Sequence, residues 1–98
     1  MPKVIFTVSY EIHSSAINAY ISLADDMKKY LTKTQNKNFS VYQMDGKENL
    51  FTEFYICENE SEYETLEDSM DDDWNSLQQR LQPFIVEGTI KCSTFYEK

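Results

Sequence analysis

The chain has 98 residues, one domain's worth, and its 41% hydrophobic and 14% aromatic content is too apolar for a disordered segment. Nine Lys and Arg against seventeen Asp and Glu leave a net charge of −8, which opposes nucleic-acid backbones and anionic membrane surfaces. With no apolar run of about 18 residues and no apolar leader after Met1-Pro2-Lys3, the expectation is one cytoplasmic domain, residues 1–98, with neither membrane nor nucleic-acid partner.

Residues 3–12 alternate: Val4, Phe6, Val8, Tyr10 and Ile12 face one way, Ile5, Thr7, Ser9 and Glu11 the other, which predicts a strand with one strongly apolar face. Ser14 or Ser15 suits the N-cap of a helix running to about Lys33, with Ile17, Tyr20, Ala24, Met27 and Leu31 at helical spacing. Lys28, Lys29 and Lys33 gather where cations suit the helix dipole. Phe39–Met44 and Leu50–Cys57 read as two strands joined by a hairpin in which Gly46 is free to take positive φ. Asn59 followed by Glu62 resembles a capping box. Tyr63, Leu66, Met70, Trp74, Leu77 and Leu81 then form one stripe on a single second helix that Pro83 stops. Thr89–Tyr96 is the last strand. Cys57 and Cys92 read as buried free thiols, since two cysteines make neither a disulfide framework nor a zinc site.

The order β-α-β-β-α-β predicts an α+β, ferredoxin-like fold: a four-stranded antiparallel sheet with both helices on one face. Right-handed crossovers favour strand order 4-1-3-2. The apolar face of the first strand goes under the helices. The other face of the sheet is assigned Ile5, Tyr42, Met44, Phe51, Tyr55 and Phe95, with Thr7, Ser9, Glu53 and Lys91 among them. An exposed patch of this kind marks a partner surface. The expectation is a homodimer with two sheets packed face to face over those six residues.

On this element order, and on the run Phe51-Thr52-Glu53-Phe54-Tyr55-Ile56-Cys57-Glu58-Asn59-Glu60-Ser61-Glu62-Tyr63-Glu64, the chain resembles the dimeric α+β barrel superfamily. That group contains the antibiotic-biosynthesis-type monooxygenases. The run is similar to the family's aromatic third strand, acidic break and helix opening. The resemblance implies a homodimer with an open pocket between each sheet and its helices. Its members include cofactor-independent monooxygenases acting on polycyclic phenols or quinols, haem-degrading enzymes, isomerases, dehalogenases and proteins of no known activity. The haem-degrading branch uses a His on the second helix; here the only His is His13, at the end of the first strand.

Three features bear on chemistry. His13 is the weak catalytic candidate, a general base if a substrate reaches it. Tyr10, Tyr20, Tyr63 and Trp74 suit either a pocket for a small aromatic ligand or plain core packing. Residues 58–73 hold nine acids and no Lys or Arg, with Glu60, Glu64, Asp68 and Asp72 in one column. A solvated face is the default for that stretch, and docking of a basic partner the alternative. No phosphate loop, metal-ligand spacing or nucleophile elbow is present, so neither cofactor nor metal is expected. The expected function is a ligand-binding or interaction module. The alternative is a cofactor-independent monooxygenase or isomerase acting on an aromatic or quinone-like molecule.

Overall fold

A computed structural model describes residues 2–98; Met1 lies outside the described residues. The clean alternation of the first segment gives β1 (Val4–Glu11). A 3-10 turn (Ser14–Ala16) leads into α1 (Ile17–Lys29), which a π-helical turn (Tyr30–Thr34) extends. Neither Ser14 nor Ser15 caps the helix, because both lie inside that leading turn. Asn36 takes a left-handed φ of 54°, which its short polar side chain tolerates, and turns the chain into β2 (Asn38–Gln43). Gly46, at φ 79°, sits in the hairpin to β3 (Leu50–Cys57). The last strand, β4 (Lys91–Tyr96), starts two residues later than its sequence pattern suggests. Thr89 instead closes a turn: its hydroxyl donates to the Val86 carbonyl at 2.7 Å and accepts from the Glu11 amide at 3.1 Å.

The four strands form one antiparallel sheet in the order β2-β3-β1-β4, the order expected from right-handed crossovers. No helix among the described residues is long and apolar enough to cross a membrane.

The second helix is not continuous. It divides into α2 (Glu60–Glu64), a 3-10 turn (Leu66–Ser69) and α3 (Asp72–Leu81). Each helical piece has its own N-cap: the Asn59 side chain accepts from the Glu62 amide at 2.8 Å, and Asp71 accepts from the Trp74 amide at 3.0 Å. A single helix through 60–81 would align the carboxylates of Glu60, Glu64, Asp68 and Asp72 without a cation between them. Starting afresh at Asp71 relieves that repulsion and puts Asp72 and Asp73 at a new positive helix end.

The phase of β3 is the main correction. Directly opposed residues of antiparallel strands share a face, and β3 opposes Phe51 to Tyr10, Glu53 to Val8, Tyr55 to Phe6 and Cys57 to Val4. Phe51, Glu53 and Tyr55 therefore point towards the helices and are buried in the core, not on the open face assigned from sequence. Phe51 and Tyr55 are thereby removed from the expected dimer surface. The open face instead carries Leu50, Phe54 and Ile56 beside Ile5, Tyr42, Met44 and Phe95. Cys57 is buried, but Cys92 is exposed, because no helix covers the helix-side face of β4 at that point.

Candidate functional site

Two regions of the helix side hold chemistry of different kinds. The first lies over β2 and β3 and is sealed. Glu53 is 2% exposed, and each of its carboxylate oxygens accepts a tyrosine hydroxyl: Tyr10 donates to Oε2 at 2.5 Å and Tyr55 to Oε1 at 2.6 Å. With the Tyr10 proton committed to Glu53, the Tyr20 hydroxyl is the donor in its 2.8 Å contact with Tyr10. The result is a directed chain, Tyr20 to Tyr10 to Glu53, with Tyr55 closing it from the other side. No cation pairs with Glu53 among the described residues. Burial pushes its carboxyl above the usual range, while the two tyrosine hydroxyls hold it back. Burial beside this carboxyl also raises Tyr10, Tyr20 and Tyr55, keeping all three as donors.

Rings fill the space around this cluster. Tyr20 packs on Phe51 at a centroid distance of 4.6 Å, Phe39 on Tyr55 at 4.9 Å, and Trp74 edge-on to Phe39 at 6.0 Å. Trp74 also stacks at 6.4 Å on Tyr30, whose hydroxyl donates to Asp71. That bond and the backbone amides of the α3 cap, Trp74 foremost, hold Asp71 below the usual carboxylate range. The cap thus locks α3 to the end of α1, which closes the lid over β2 and β3. Of the two roles open to Tyr10, Tyr20 and Trp74, pocket lining or core packing, these three are buried core side chains. The reason is the phase of β3, which brings Phe51 and Tyr55 inward to fill that space.

The second region is open. Beyond the break in the second helix, α2 and the 3-10 turn leave a cleft of about 380 Å³ lined by Phe6, Tyr63, Glu64, Leu66 and Glu67. Of the four expected pocket residues, Tyr63 is the one that lines it. Its hydroxyl lies 3.1 Å from that of Thr94, and its ring sits 6.4 Å from Phe6 and 6.5 Å from Tyr96. Two aromatic rings and a buried leucine give it apolar walls, and Glu64 and Glu67 are its exposed lining residues.

His13 is exposed at the junction of β1 and α1. It lies seven positions after Phe6, roughly 20 Å along an extended strand, so it takes no part in the cleft. Among the described residues no three His, Cys, Asp or Glu side chains converge to hold a metal ion, which applies to the acidic stretch as well. Sequence reasoning missed Glu53 by placing it on the open face. The usable signal was Tyr10, whose inward hydroxyl on an apolar strand face demands a buried polar partner.

No protein-family model matches the chain, and no curated protein does. Solved structures do. A conserved protein from Methanosarcina mazei superposes with a TM-score of 0.83 at 12% identity, covering 100% of this chain and 95% of that one. SnoaB from Streptomyces nogalater, a cofactor-independent oxygenase, gives 0.73 at 10% identity over 95% of this chain and 90% of its own. An antibiotic biosynthesis monooxygenase gives 0.72 at 11% identity over 100% and 97%. The chain therefore has the ferredoxin-like α+β fold of the antibiotic-biosynthesis-monooxygenase-type structures.

Proposed function

We propose that the protein is a homodimeric binding module. Two copies pack sheet to sheet, and each holds a small apolar or aromatic ligand in the cleft beside Tyr63. The observation that carries the dimer is the open sheet face, where Tyr42, Phe95 and Met44 are 61%, 55% and 52% exposed, with Ile5, Leu50, Phe54 and Ile56 between them. A half-exposed aromatic leaves roughly 100 Å² of ring in water. At about 25 cal/mol per Å², covering it is worth about 2.5 kcal/mol, a large share of a small domain's stability. The cleft supports the ligand-binding half of the reading, and the ring-filled interior around Glu53 argues against a reaction there.

Sedimentation equilibrium tests the dimer. The expected species has twice the 11.6 kDa chain mass at micromolar concentration. Tyr42→Glu with Phe95→Glu should give a folded monomer. A wild-type species sedimenting at the chain mass would refute the reading. Titration with neutral monocyclic aromatics tests the ligand, which should shift the resonances of Phe6, Tyr63 and Leu66.

A second reading, a cofactor-independent oxygenase or isomerase for an aromatic or quinone-like molecule, draws on the fold likeness to SnoaB and on the aromatic wall of the cleft. Oxygen uptake with an added quinol, lost in Tyr63→Leu, would favour it over simple binding. No uptake across a panel of quinols would remove it.

A further inference from the structure

Resting on the reading that the cleft is a ligand site, we infer that its ligand is a cation: an amine or quaternary ammonium carried on a small aromatic or branched apolar group. Three properties of the same cleft converge on that class. Phe6 and Tyr63 pack on each other with ring planes inclined at 50° and centroids 6.4 Å apart, and both line the cleft, so its wall is aromatic and suits a compact apolar group. Ring faces also attract a cation held within about 6 Å of their centroids. Leu66, which is buried, also lines the cleft and adds an aliphatic surface to the two rings.

Two glutamates supply the charge. Glu64 and Glu67 both line the cleft, both are exposed, and neither forms an ion pair among the described residues. Lys3 is drawn to Glu58 at 3.9 Å instead. The surrounding stretch, residues 58–73, adds seven further carboxylates and no Lys or Arg, so its own contribution to the field around the cleft is negative. An anionic ligand would meet repulsion from these carboxylates. A neutral one would gain only the apolar walls. A cation with an apolar body satisfies both at once. At about 380 Å³ the cleft sits near the lower end of small-molecule sites, roughly 300–1,000 Å³, which limits the ligand to about one ring and its substituents.

The test uses the full chain and three probes of one shape: benzyltrimethylammonium, benzyl alcohol and benzoate, titrated while the amide and ring resonances of Phe6, Tyr63 and Leu66 are followed. Two lining carboxylates acting through water on a bound cation should make the ammonium bind about tenfold more tightly than the alcohol at low salt. Benzoate should be the weakest. Raising the salt to about 0.5 M should remove most of the difference, because screening lengths fall below about 5 Å. Glu64→Gln with Glu67→Gln, at exposed positions, should abolish the preference for the cation and leave binding of the alcohol unchanged. Equal affinities for ammonium and alcohol, with shifts at Phe6 and Tyr63, would overturn the charge inference and leave the cleft a neutral site. Shifts confined to the acidic residues, without Phe6 or Tyr63, would mean superficial ion pairing and would also overturn it. No shift with any probe would remove both the inference and the ligand site on which it rests.

Discussion

The two halves of the helix side are built from the same materials and end in opposite states. Over β2 and β3, tyrosines and phenylalanines surround a carboxylate and exclude water. Over β1 and β4, a tyrosine and a phenylalanine surround a cleft. The difference is made by the helices above. The long α1 and the tethered α3 lie over the first region, whereas the second is roofed only by the short α2 and a 3-10 turn. The break that shortens the roof sits in the acidic stretch, where carboxylate repulsion along one column and a fresh cap at Asp71 end one helix and begin another. Charge pattern on a helix surface has thus decided where the interior is open.

The sharpest way to break this comparison is to place a charge in each region. Phe51→Glu puts an unpaired carboxylate into the sealed core beside Glu53 and should abolish folding, losing the denaturation transition altogether. Tyr42→Glu on the open face should keep the fold and change only the sedimentation. If the two variants behaved alike, the assignment of β3 to the helix side would be wrong.

Ring truncation grades the same contrast. Tyr20→Ala in the sealed region should cost about 3–5 kcal/mol by urea denaturation, as for other buried aromatics. Tyr63→Ala at the cleft edge should cost only about 1–2 kcal/mol, for a half-buried ring and one hydroxyl contact. Equal losses would indicate that the cleft is closed in solution.

Glu53 sharpens the sealed region by pH. Its carboxyl is raised above the usual value by burial. The folded state therefore binds the proton more tightly than the unfolded chain. The stability this supplies is fully present below the unfolded value of about 4.3 and is lost as pH rises through the folded value. Relative to Glu53→Gln, the wild type should lose up to about 1.4 kcal/mol per pH unit across that window. Parallel stability curves for the two proteins would show that the site is solvated after all.

The smallest effect concerns the roof. Asn59→Ala removes the α2 cap and should cost about 1 kcal/mol, while exchange of the amides of residues 60–64 speeds up more than that of α1. Uniform exchange across both helices would mean that the second region is as tightly held as the first.

Much of the architecture was legible in the residues. The alternation of 4–12 determined β1 and its inward face. The Asp45-Gly46 turn placed the hairpin, and the element order with right-handed crossovers determined the strand order. Ile5, Tyr42, Met44 and Phe95 were legible as open-face residues because their strands carry a consistent phase. By contrast β3 is apolar on both sides, Leu50, Phe54 and Ile56 against Phe51, Tyr55 and Cys57, and a period of two does not choose between such faces. An inward phase also buries the Glu53 carboxylate, which is rare without partners. Only the tertiary structure, by bringing Tyr10, Tyr20 and Tyr55 from two strands and a helix around it, made the inward phase stable. The acidic column was equally visible in the sequence, but its consequence was not. Whether repulsion frays a helix, or is relieved by restarting it, depends on what anchors the restart. Here that anchor is Tyr30, far away in the chain, donating to Asp71. The open-face positions of β1, β2 and β4 and the helical stripes followed from local pattern; the phase of β3, the sealed carboxylate and the open cleft followed from contacts between distant segments.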